Sequence, residues 1–312
     1  MTKPVLLAIN HDDRSAIKTD KLMRKTISLN NGVEMPLIGY GTWQIAPKDC
    51  ERYVSEALAA GYRSIDTAQA YYNEEGVGEA VCKSGIPREE LFITTKVWIT
   101  NAGDEKAARG IDESLRKLKT DYVDLLLIHQ PFGDYYGTYR AMEKAYKEGK
   151  ARAIGLSNFY GSRFIDLAEN MEIKPAVVQL ETHVFSQQVK TRQLIKDYGT
   201  RLMAWSPLAR GMNNLFGNET LKDIATRHSK DIAQICLKFL TDENIIVIPQ
   251  SSKAERMASN LALDDFELTD EEREAIRRLD TGHPLAADFN DPTLAKYLLG
   301  YDRQFNPNSE NK

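Results

Sequence analysis

The predicted fold is built outward from residues 62–74, which read YRSIDTAQAYYNE. Its apolar beginning predicts a short strand at Arg63–Asp66, and Tyr71 lies five residues beyond Asp66. If Asp66 ends a strand of a barrel, the side chains that end the next strands should lie beside it. Lys96 and His129 stand at those places in the sequence. The stretch therefore predicts a barrel strand and one part of a proton-donating site.

A strand followed by a helix recurs along the chain, although the sequence itself does not repeat. Pro47 opens a helical pattern, and Gly61 is a natural C-cap directly before the strand Arg63–Asp66. The predicted strands lie at residues 37–41, 63–66, 91–96, 122–129, 151–157, 176–179, 202–205 and 245–248. Apolar strands in strict alternation with helices favour a parallel sheet that is covered on both faces. We therefore predict an α/β fold, a (β/α)8 TIM barrel.

Further elements are predicted around this alternation. The turn Asn30-Asn31-Gly32 between two short apolar stretches predicts an N-terminal β-hairpin. The helix after the fourth strand is predicted at Tyr139–Glu148. Beyond the eighth strand, helices are predicted near residues 255–261 and 270–279, and the second of these starts with a capping box.

Both ends of the chain are predicted to lack regular structure. The tail from Gly282 contains three prolines and is expected to be irregular and to lie over the barrel. Residues 1–22 show no helical periodicity, and Met23 directly precedes the first segment with a folded pattern. We interpret residues 1–22 as a disordered leader and residues 23–312 as a single domain.

An open, doubly wound sheet is the main alternative, and the sequence argues against it. No G-x-G-x-x-G motif follows a predicted strand, as dinucleotide binding by that fold would require. Gly76-Val77-Gly78 lies instead in the polar start of a predicted helix. The barrel is therefore preferred.

Composition excludes several classes of function. The 312 residues carry a formal net charge of −4 with both signs mixed throughout, so no nucleic-acid partner is expected. No run reaches the roughly eighteen apolar residues of a membrane span. No signal peptide is recognisable either, so we expect no membrane partner and a cytoplasmic location. Cys50, Cys82 and Cys236 form no CxxC pair, so they are expected to be buried apolar side chains without a disulfide or a metal.

Most predicted strands end in a side chain with a chemical use. Asp66, Lys96 and His129 end three consecutive strands, so they should lie within a few ångströms of one another. A buried lysine needs a carboxylate beside it. A cation near Tyr71 lowers the pKa of the phenol from its usual value of about 10, which would make Tyr71 a proton donor at neutral pH. A neutral His129 would orient a carbonyl oxygen, and Tyr72 should point elsewhere.

These residues resemble the catalytic set of a known family. Asp66, Tyr71, Lys96 and His129 have the order and spacing of the Asp-Tyr-Lys-His tetrad of the aldo-keto reductases. The stretches GYGTW at 39–43, IGLSNF at 154–159 and WSPL at 205–208 are also typical of that family, and the similarity extends over residues 25–290. The stretch LIHQPFGD at 127–134 and the short tail resemble bacterial 2,5-diketo-gluconate reductases. The resemblance implies NADPH-dependent reduction of aldehydes or ketones to alcohols by hydride transfer, with Tyr71 as the proton donor.

The resemblance also implies where the cofactor would bind. Amide and hydroxyl side chains would hold the nicotinamide carboxamide, Trp205 would stack on the nicotinamide ring, and the loop after the seventh strand would hold the diphosphate. The implied contacts are Gly41, Thr42, Ser157, Asn158, Gln179, Trp205, Ser206, Leu208, Gln250, Ser251, Lys253, Arg256 and Asn260. A lysine is usual where Gln250 stands, so NADPH is expected to be preferred by a smaller margin and NADH becomes an alternative cofactor.

Substrate contacts are implied by the loops around Tyr71. Trp43 and Trp98 would form the walls of an apolar pocket, His129 would face the reacting oxygen, and Gln130 would make that side more polar. Aromatic and aliphatic side chains from the following loop and the tail are expected to close the pocket, namely Phe132, Tyr135, Tyr136, Leu285 and Phe289. The expected partner is a small carbonyl compound.

Two other functions are compatible with the same barrel. A binding or regulatory protein could retain this fold with only residual reductase activity, because a fold does not determine function. A lyase or isomerase could use Lys96 to form a Schiff base, but the neighbouring tyrosine argues against it. The sequence contains no signal for a dimer, so a monomer is assumed.

Overall fold

A computed structural model describes residues 25–305 of the chain. The predicted leader at residues 1–22 lies outside this part. The described chain begins with a hairpin of two antiparallel strands, β1 at Thr26–Ser28 and β2 at Glu34–Pro36. The predicted N-terminal hairpin is therefore confirmed.

Eight parallel strands follow and form one sheet. Their bounds are β3 Tyr40–Gly41, β4 Ser64–Asp66, β5 Phe92–Val97, β6 Val123–Ile128, β7 Ala151–Ser157, β8 Val177–Glu181, β9 Arg201–Trp205 and β10 Ile246–Val247. Each strand pairs with the next one along the chain. The residues before β3 also pair with β10, because Gly39 N donates to Val247 O at 2.8 Å and Val247 N donates to Leu37 O at 2.8 Å. The sheet therefore closes on itself, and the predicted barrel is confirmed.

Helices cover the outside of this sheet. Within residues 25–305 they are α1 Pro47–Ala60, α2 Glu74–Lys83, α3 Asp104–Leu118, α4 Tyr135–Lys147, α5 Gly161–Asn170, α6 Val189–Lys196, α7 Glu219–His228, α8 Ile232–Asp242, α9 Ala254–Leu261, α10 Asp270–Arg277 and α11 Pro292–Phe305. None of these helices is long and apolar enough to cross a membrane.

The ends of two helices agree with the signals in the sequence. Helix α1 has Pro47 in its first turn and ends at Gly61, whose φ of 114° is left-handed. Helix α10 starts with the predicted capping box of Thr269 and Glu272. Local sequence therefore determines where these helices begin or end.

The glycines of α2 are explained by helix packing. A Cβ on Gly76 would lie 2.7 Å from Cys50 Cβ of α1, and a Cβ on Gly78 would lie 2.5 Å from Lys117 O of α3. Both glycines therefore let neighbouring helices approach closely. This agrees with the rejection of a dinucleotide fingerprint at this place.

The tail differs from the prediction in its second part. The chain is irregular after Gly282, as predicted, but the segment Pro292–Phe305 forms the helix α11. Pro292 stands at the first helical position, where its missing N–H costs nothing, and Asp291 Oδ1 accepts from Thr293 N at 2.8 Å. The proline that was interpreted as a sign of irregularity therefore starts a helix.

Two smaller predictions were wrong. Helix α4 begins at Tyr135 rather than Tyr139, because Asp134 Oδ1 accepts a hydrogen bond from Gly137 N at 2.8 Å and so caps an extra turn. Cys82 is exposed, whereas Cys50 and Cys236 are buried as expected. Cys82 lies on the outer face of α2, which the apolar character of cysteine did not reveal.

Candidate active site

The parallel register brings three strand ends together. Asp66 is the last residue of β4, Lys96 is the fifth residue of β5, and His129 directly follows β6. Their exposed fractions are 2% for Asp66, 0% for Lys96 and 7% for His129. Neighbouring parallel strands carry these side chains to one end of the barrel, where active sites of such barrels lie.

The ammonium group of Lys96 connects this set. Its Nζ lies 2.6 Å from Asp66 Oδ2, donates to Thr67 O at 3.0 Å and contacts Tyr71 Oη at 3.3 Å. An ammonium has three donors, so these contacts use all of them. The other carboxylate oxygen, Asp66 Oδ1, accepts from Gln179 Nε2 at 2.8 Å. The contacts hold Lys96 with one donor directed at the phenol oxygen.

Tyr71 is positioned by a short turn. It ends a 3₁₀ helix at Gln69–Tyr71, and Gln69 Oε1 accepts from Trp98 N and from Asn101 Nδ2, both at 2.9 Å. The next residue, Tyr72, has a left-handed φ of 56°, which reverses the chain. Tyr71 lines the cleft at the barrel end, and Tyr72 is not among the residues that line it. The two tyrosines therefore separate as predicted.

Burial controls the charges of this set. Loss of water raises the pKa of Asp66 and lowers the pKa of Lys96, while their 2.6 Å contact opposes both shifts. Burial, with the charge of Lys96 as a second cause, also lowers the pKa of His129 well below its usual value. His129 is therefore neutral, and its Nδ1 has no hydrogen-bond partner among residues 25–305.

The cleft beside these residues has a volume of about 800 Å³. It is lined by most of the predicted cofactor contacts, namely Gly41, Ser157, Asn158, Gln179, Trp205, Ser206, Leu208 and Gln250. Trp205 Nε1 donates to Asn158 Oδ1 at 2.9 Å, and Asn158 Nδ2 donates to His129 O at 3.1 Å. Asn158 has a left-handed φ of 67°, a conformation that asparagine tolerates well. Asn158 thus connects the indole of Trp205 to the backbone of His129.

The remaining predicted cofactor contacts do not line this cleft. Thr42 is buried, and its Oγ1 donates to Asp66 O at 3.0 Å. Ser251 Oγ accepts from Lys253 N at 3.1 Å. Lys253 and Arg256 are exposed, and Asn260 is buried. All except Thr42 lie beyond Gln250, in the segment that leads into α9 or in α9 itself.

The predicted substrate contacts lie around Tyr71. Trp43, Trp98, His129 and Gln130 all line the cleft. Trp98 is buried and its ring lies 5.0 Å from that of His129, whereas Trp43 is 38% exposed. These four side chains therefore line the same cleft as Tyr71.

The prediction of the closing residues was largely wrong. Phe289 lines the cleft, but Phe132, Tyr135, Tyr136 and Leu285 are not among its lining residues. The ring of Tyr135 packs against Phe159 at 5.3 Å, and Tyr136 Oη donates to Asp166 Oδ2 at 2.5 Å. The early start of α4 turns these two tyrosines away from the cleft.

The sequence did not reveal Arg210 as a cleft residue. Its guanidinium lies 4.2 Å from the ring centre of Trp43 and 5.4 Å from that of Trp205. Its Nε donates to Ser206 Oγ at 3.1 Å, and desolvation lowers its pKa although the residue is exposed as a whole. Nothing in the local pattern sets Arg210 apart from other surface arginines.

The tail helix was also missed as a part of the cleft. Leu294, Tyr297 and Leu298 of α11 line it, together with Ala286 and Ala287 of the irregular segment. The three- and four-residue spacing of the α11 side chains was a detectable helical signal.

Comparison with known proteins identifies the family. The profile of the aldo/keto reductase family matches residues 37–281. A glyoxal reductase of Bacillus subtilis (strain 168) is 44% identical over 259 residues, which are 82% of this chain and 93% of the relative. The chain belongs to the aldo/keto reductase family.

Solved structures agree with this assignment. An aldo-keto reductase from a Medee basin deep-sea metagenome library is 43% identical, with a TM-score of 0.83 over 85% of this chain and 98% of the other. A Bombyx mori aldo-keto reductase solved in complex with NADP is 33% identical, with a TM-score of 0.80 over 88% of this chain and 97% of the other. The protein is an NAD(P)H-dependent oxidoreductase that reduces carbonyl groups.

Proposed function

We propose that this protein reduces aldehydes or ketones to alcohols with NADPH and that Tyr71 donates the proton. The observation that carries the proposal is the position of Lys96 Nζ, 2.6 Å from Asp66 Oδ2 and 3.3 Å from Tyr71 Oη. A cation at this distance stabilises the tyrosinate that remains after proton transfer. Asp66 stabilises that cation in a place from which water is excluded.

His129 has a separate role in the proposal. Because the ring is neutral, it does not add a second positive charge beside Lys96, and it can hydrogen-bond a carbonyl oxygen. Its ring lies edge-on to Tyr71 with centres 5.5 Å apart. A carbonyl oxygen between the two rings would meet both Tyr71 and His129, which orients the carbonyl for proton transfer.

The cleft fits the cofactor that this chemistry needs. It extends from Tyr71 to Gln250, which suits an elongated dinucleotide, and it offers the indole plane of Trp205 near the catalytic end. The hydrogen bond from Trp205 Nε1 to Asn158 Oδ1 fixes that plane. NADPH would supply the hydride when bound. Ser157, Asn158 and Gln179 would bind its carboxamide, and Ser206 and Leu208 would hold the diphosphate.

The residues expected to bind the adenosine half of the cofactor are the reason why we expect only a small preference for NADPH over NADH. Gln250 has no charge to offer the 2′-phosphate, which leaves Arg256 and Lys253 as the nearby cations. We expect Gln250→Lys to raise the ratio of kcat/KM for NADPH to that for NADH by about tenfold, equivalent to one charge-assisted hydrogen bond. Gln250→Met, which has a similar length without charge, is the matched control. An unchanged ratio in the lysine variant would contradict this assignment of Gln250.

The proposal is tested by following NADPH absorbance with a panel of aldehydes, glyoxals, keto-sugars and keto-esters. Glyoxals belong in the panel because one similar protein is a glyoxal reductase.

Tyr71→Phe should lower kcat by at least about a hundredfold, since it removes a positioned general acid. Tyr72→Phe is the control, because Tyr72 does not line the cleft. Near-normal turnover of Tyr71→Phe would refute the role of Tyr71. No turnover of any carbonyl by the wild type would favour a binding or regulatory protein.

A further inference from the structure

Glu181 is a buried carboxylate for which the proposed chemistry has no use. It is the last residue of β8 and lies two residues beyond Gln179, so both side chains share one face of the strand. Its exposed fraction is 0%. A buried carboxylate is unfavourable unless charged or polar groups compensate it. The groups that compensate Glu181 come mainly from the C-terminal tail.

Three successive backbone N–H groups of the tail donate to this carboxylate. Oε1 accepts from Leu285 N at 2.7 Å and from Ala286 N at 2.8 Å. Oε2 accepts from Ala286 N at 3.1 Å and from Ala287 N at 3.2 Å. Both carboxylate oxygens therefore accept hydrogen bonds from the same short segment, residues 285–287. A neutral side chain with a single acceptor oxygen could not accept all of these hydrogen bonds.

His183 completes the surroundings of the carboxylate. Its Nδ1 accepts a hydrogen bond from Phe185 N at 3.2 Å, so this nitrogen carries no hydrogen. The hydrogen is then on Nε2, which lies 3.1 Å from Glu181 Oε1 and donates to it. Burial raises the pKa of Glu181, but the hydrogen bonds from His183 and the tail outweigh it and hold the pKa below its usual value. The side chain is therefore ionised at neutral pH.

The segment that Glu181 holds leads directly into the outer wall of the cleft, which consists of the cleft-lining residues of the tail together with Arg210. Ala286, Ala287 and Phe289 line the cleft, and the ring of Phe289 stacks on Tyr160 with centres 6.0 Å apart. Arg163 Nη1 donates to Phe289 O at 3.1 Å. Helix α11 starts three residues later and adds Leu294, Tyr297 and Leu298 to the same wall. One buried carboxylate thus determines where this wall starts.

We propose that Glu181 is a positioning residue that holds residues 285–298 against the cleft and thereby restricts the size of the carbonyl compound that the cleft accepts. The proposal rests on the carbonyl reduction proposed above. A residue that served stability alone would change the turnover of every substrate by one common factor. A positioning residue changes small and bulky substrates differently, because only the wall moves while Tyr71, Lys96 and Asp66 stay in place.

The test compares two aldehydes, propanal and naphthaldehyde, at saturating NADPH. In Glu181→Gln the carboxamide NH₂ opposes the N–H groups of the tail, which should release the segment. We expect the ratio of kcat/KM for naphthaldehyde to that for propanal to rise at least about tenfold, the size of effect that a change of pocket fit produces. The dissociation constant of NADPH should stay within about twofold. Equal changes for both aldehydes, or no change, would overturn the proposal.

A second variant keeps Glu181 intact. Ala286→Pro removes the N–H that donates to both oxygens, so it should change the aldehyde ratio in the same direction. Glu243→Gln is the control, because Glu243 pairs with Arg192 and Arg277 and does not line the cleft. If Glu181→Gln does not fold, Ala286→Pro still decides the question. An unchanged ratio in that variant would overturn the proposal.

Limited proteolysis separates this proposal from the proposed function. Lys296 is an exposed residue of α11, so a lysine-specific protease can report whether the helix is held in place. Cleavage after Lys296 should be faster in Glu181→Gln than in the wild type and in Glu243→Gln. This outcome is expected even if the wild type reduces no carbonyl compound, and equal cleavage rates would refute the role of Glu181 by themselves.

Discussion

The inner end of the cleft and its outer wall are built in different ways. At the inner end, Asp66 and Lys96 belong to neighbouring strands, and His129 follows the next one. At the outer wall, Arg210 lies in a loop where Ser206 and Ala209 also have left-handed φ values of 51° and 48°. The rest of that wall comes from the tail. Hydrogen bonding between strands places the first set, and individual loop and tail contacts place the second.

This difference separates two kinds of mutation. Strand-end side chains are buried and mutually dependent, so a change there should affect chemistry and stability together. Apart from the buried Phe289, the wall residues are partly exposed and are held by local contacts of a loop and the tail, so a change there should affect the choice of ligand with little effect on stability. Three experiments test the comparison.

The largest effect is expected from the buried ion pair. Lys96→Met leaves Asp66 buried with Gln179 as its remaining side-chain donor, which should lower the free energy of unfolding by about 3–5 kcal/mol. The double variant Lys96→Met with Asp66→Asn removes both charges and should recover part of this loss. Urea unfolding of the wild type, the single variant and the double variant measures it. If the single and double variants unfold at the same urea concentration, the two side chains do not act as a pair.

A smaller effect is expected from His129. Its pKa is far below the usual value in the folded protein, so below about pH 6.5 the unfolded chain takes up a proton that the native state does not. This group should therefore lower the free energy of unfolding by about 1 kcal/mol as the pH falls from about 6.5 to 5.5, with a slope that approaches about 1.4 kcal/mol per unit at lower pH. Comparing the pH dependence of unfolding for the wild type and His129→Asn isolates the contribution. Identical slopes would mean that His129 is not held neutral.

The smallest effect is expected where the two regions meet. Asn158 joins Trp205, which ends β9 beside Arg210 of the outer wall, to His129 O at the inner end, so Asn158→Gly should weaken NADPH binding by about five- to tenfold through the lost hydrogen bonds. Glycine is chosen because it tolerates the left-handed φ of this position. Fluorescence titration with NADPH measures the effect. Unchanged affinity would show that the wall binds the cofactor independently of the inner end.

Much of the inner end could be predicted from the sequence. The strands could be located by their apolar runs, and a residue that ends a barrel strand must lie at the barrel mouth. Asp66, Lys96 and His129 follow from these two facts. The separation of Tyr71 from Tyr72 also follows from local geometry, because consecutive side chains in a tight turn point in different directions.

Much of the outer wall could not be predicted. The tail helix was not predicted because Pro292 indicated irregular structure, although Leu294, Tyr297 and Leu298 have helical spacing. Tyr135 and Tyr136 were placed at the cleft because the cap at Asp134 was not recognised. These errors arose where the local signal was weak, as at Asp134, or was compatible with two structures, as at Pro292, because a proline can either interrupt a helix or start one.

The alternation of strands and helices, the caps of α1 and α10, and the residues that end the strands all follow from the amino-acid sequence. These features depend on neighbours a few residues apart, so a linear pattern contains them. Three contacts could be found only in the folded chain: Lys96 Nζ reaches Asp66 and Tyr71 together, Arg210 lies between two tryptophans, and Glu181 binds a tail segment more than a hundred residues away. Such contacts depend on the closure of the barrel, which brings distant parts of the chain to one end. Contacts between distant residues produce no periodic pattern in the sequence, so they could not be predicted from it.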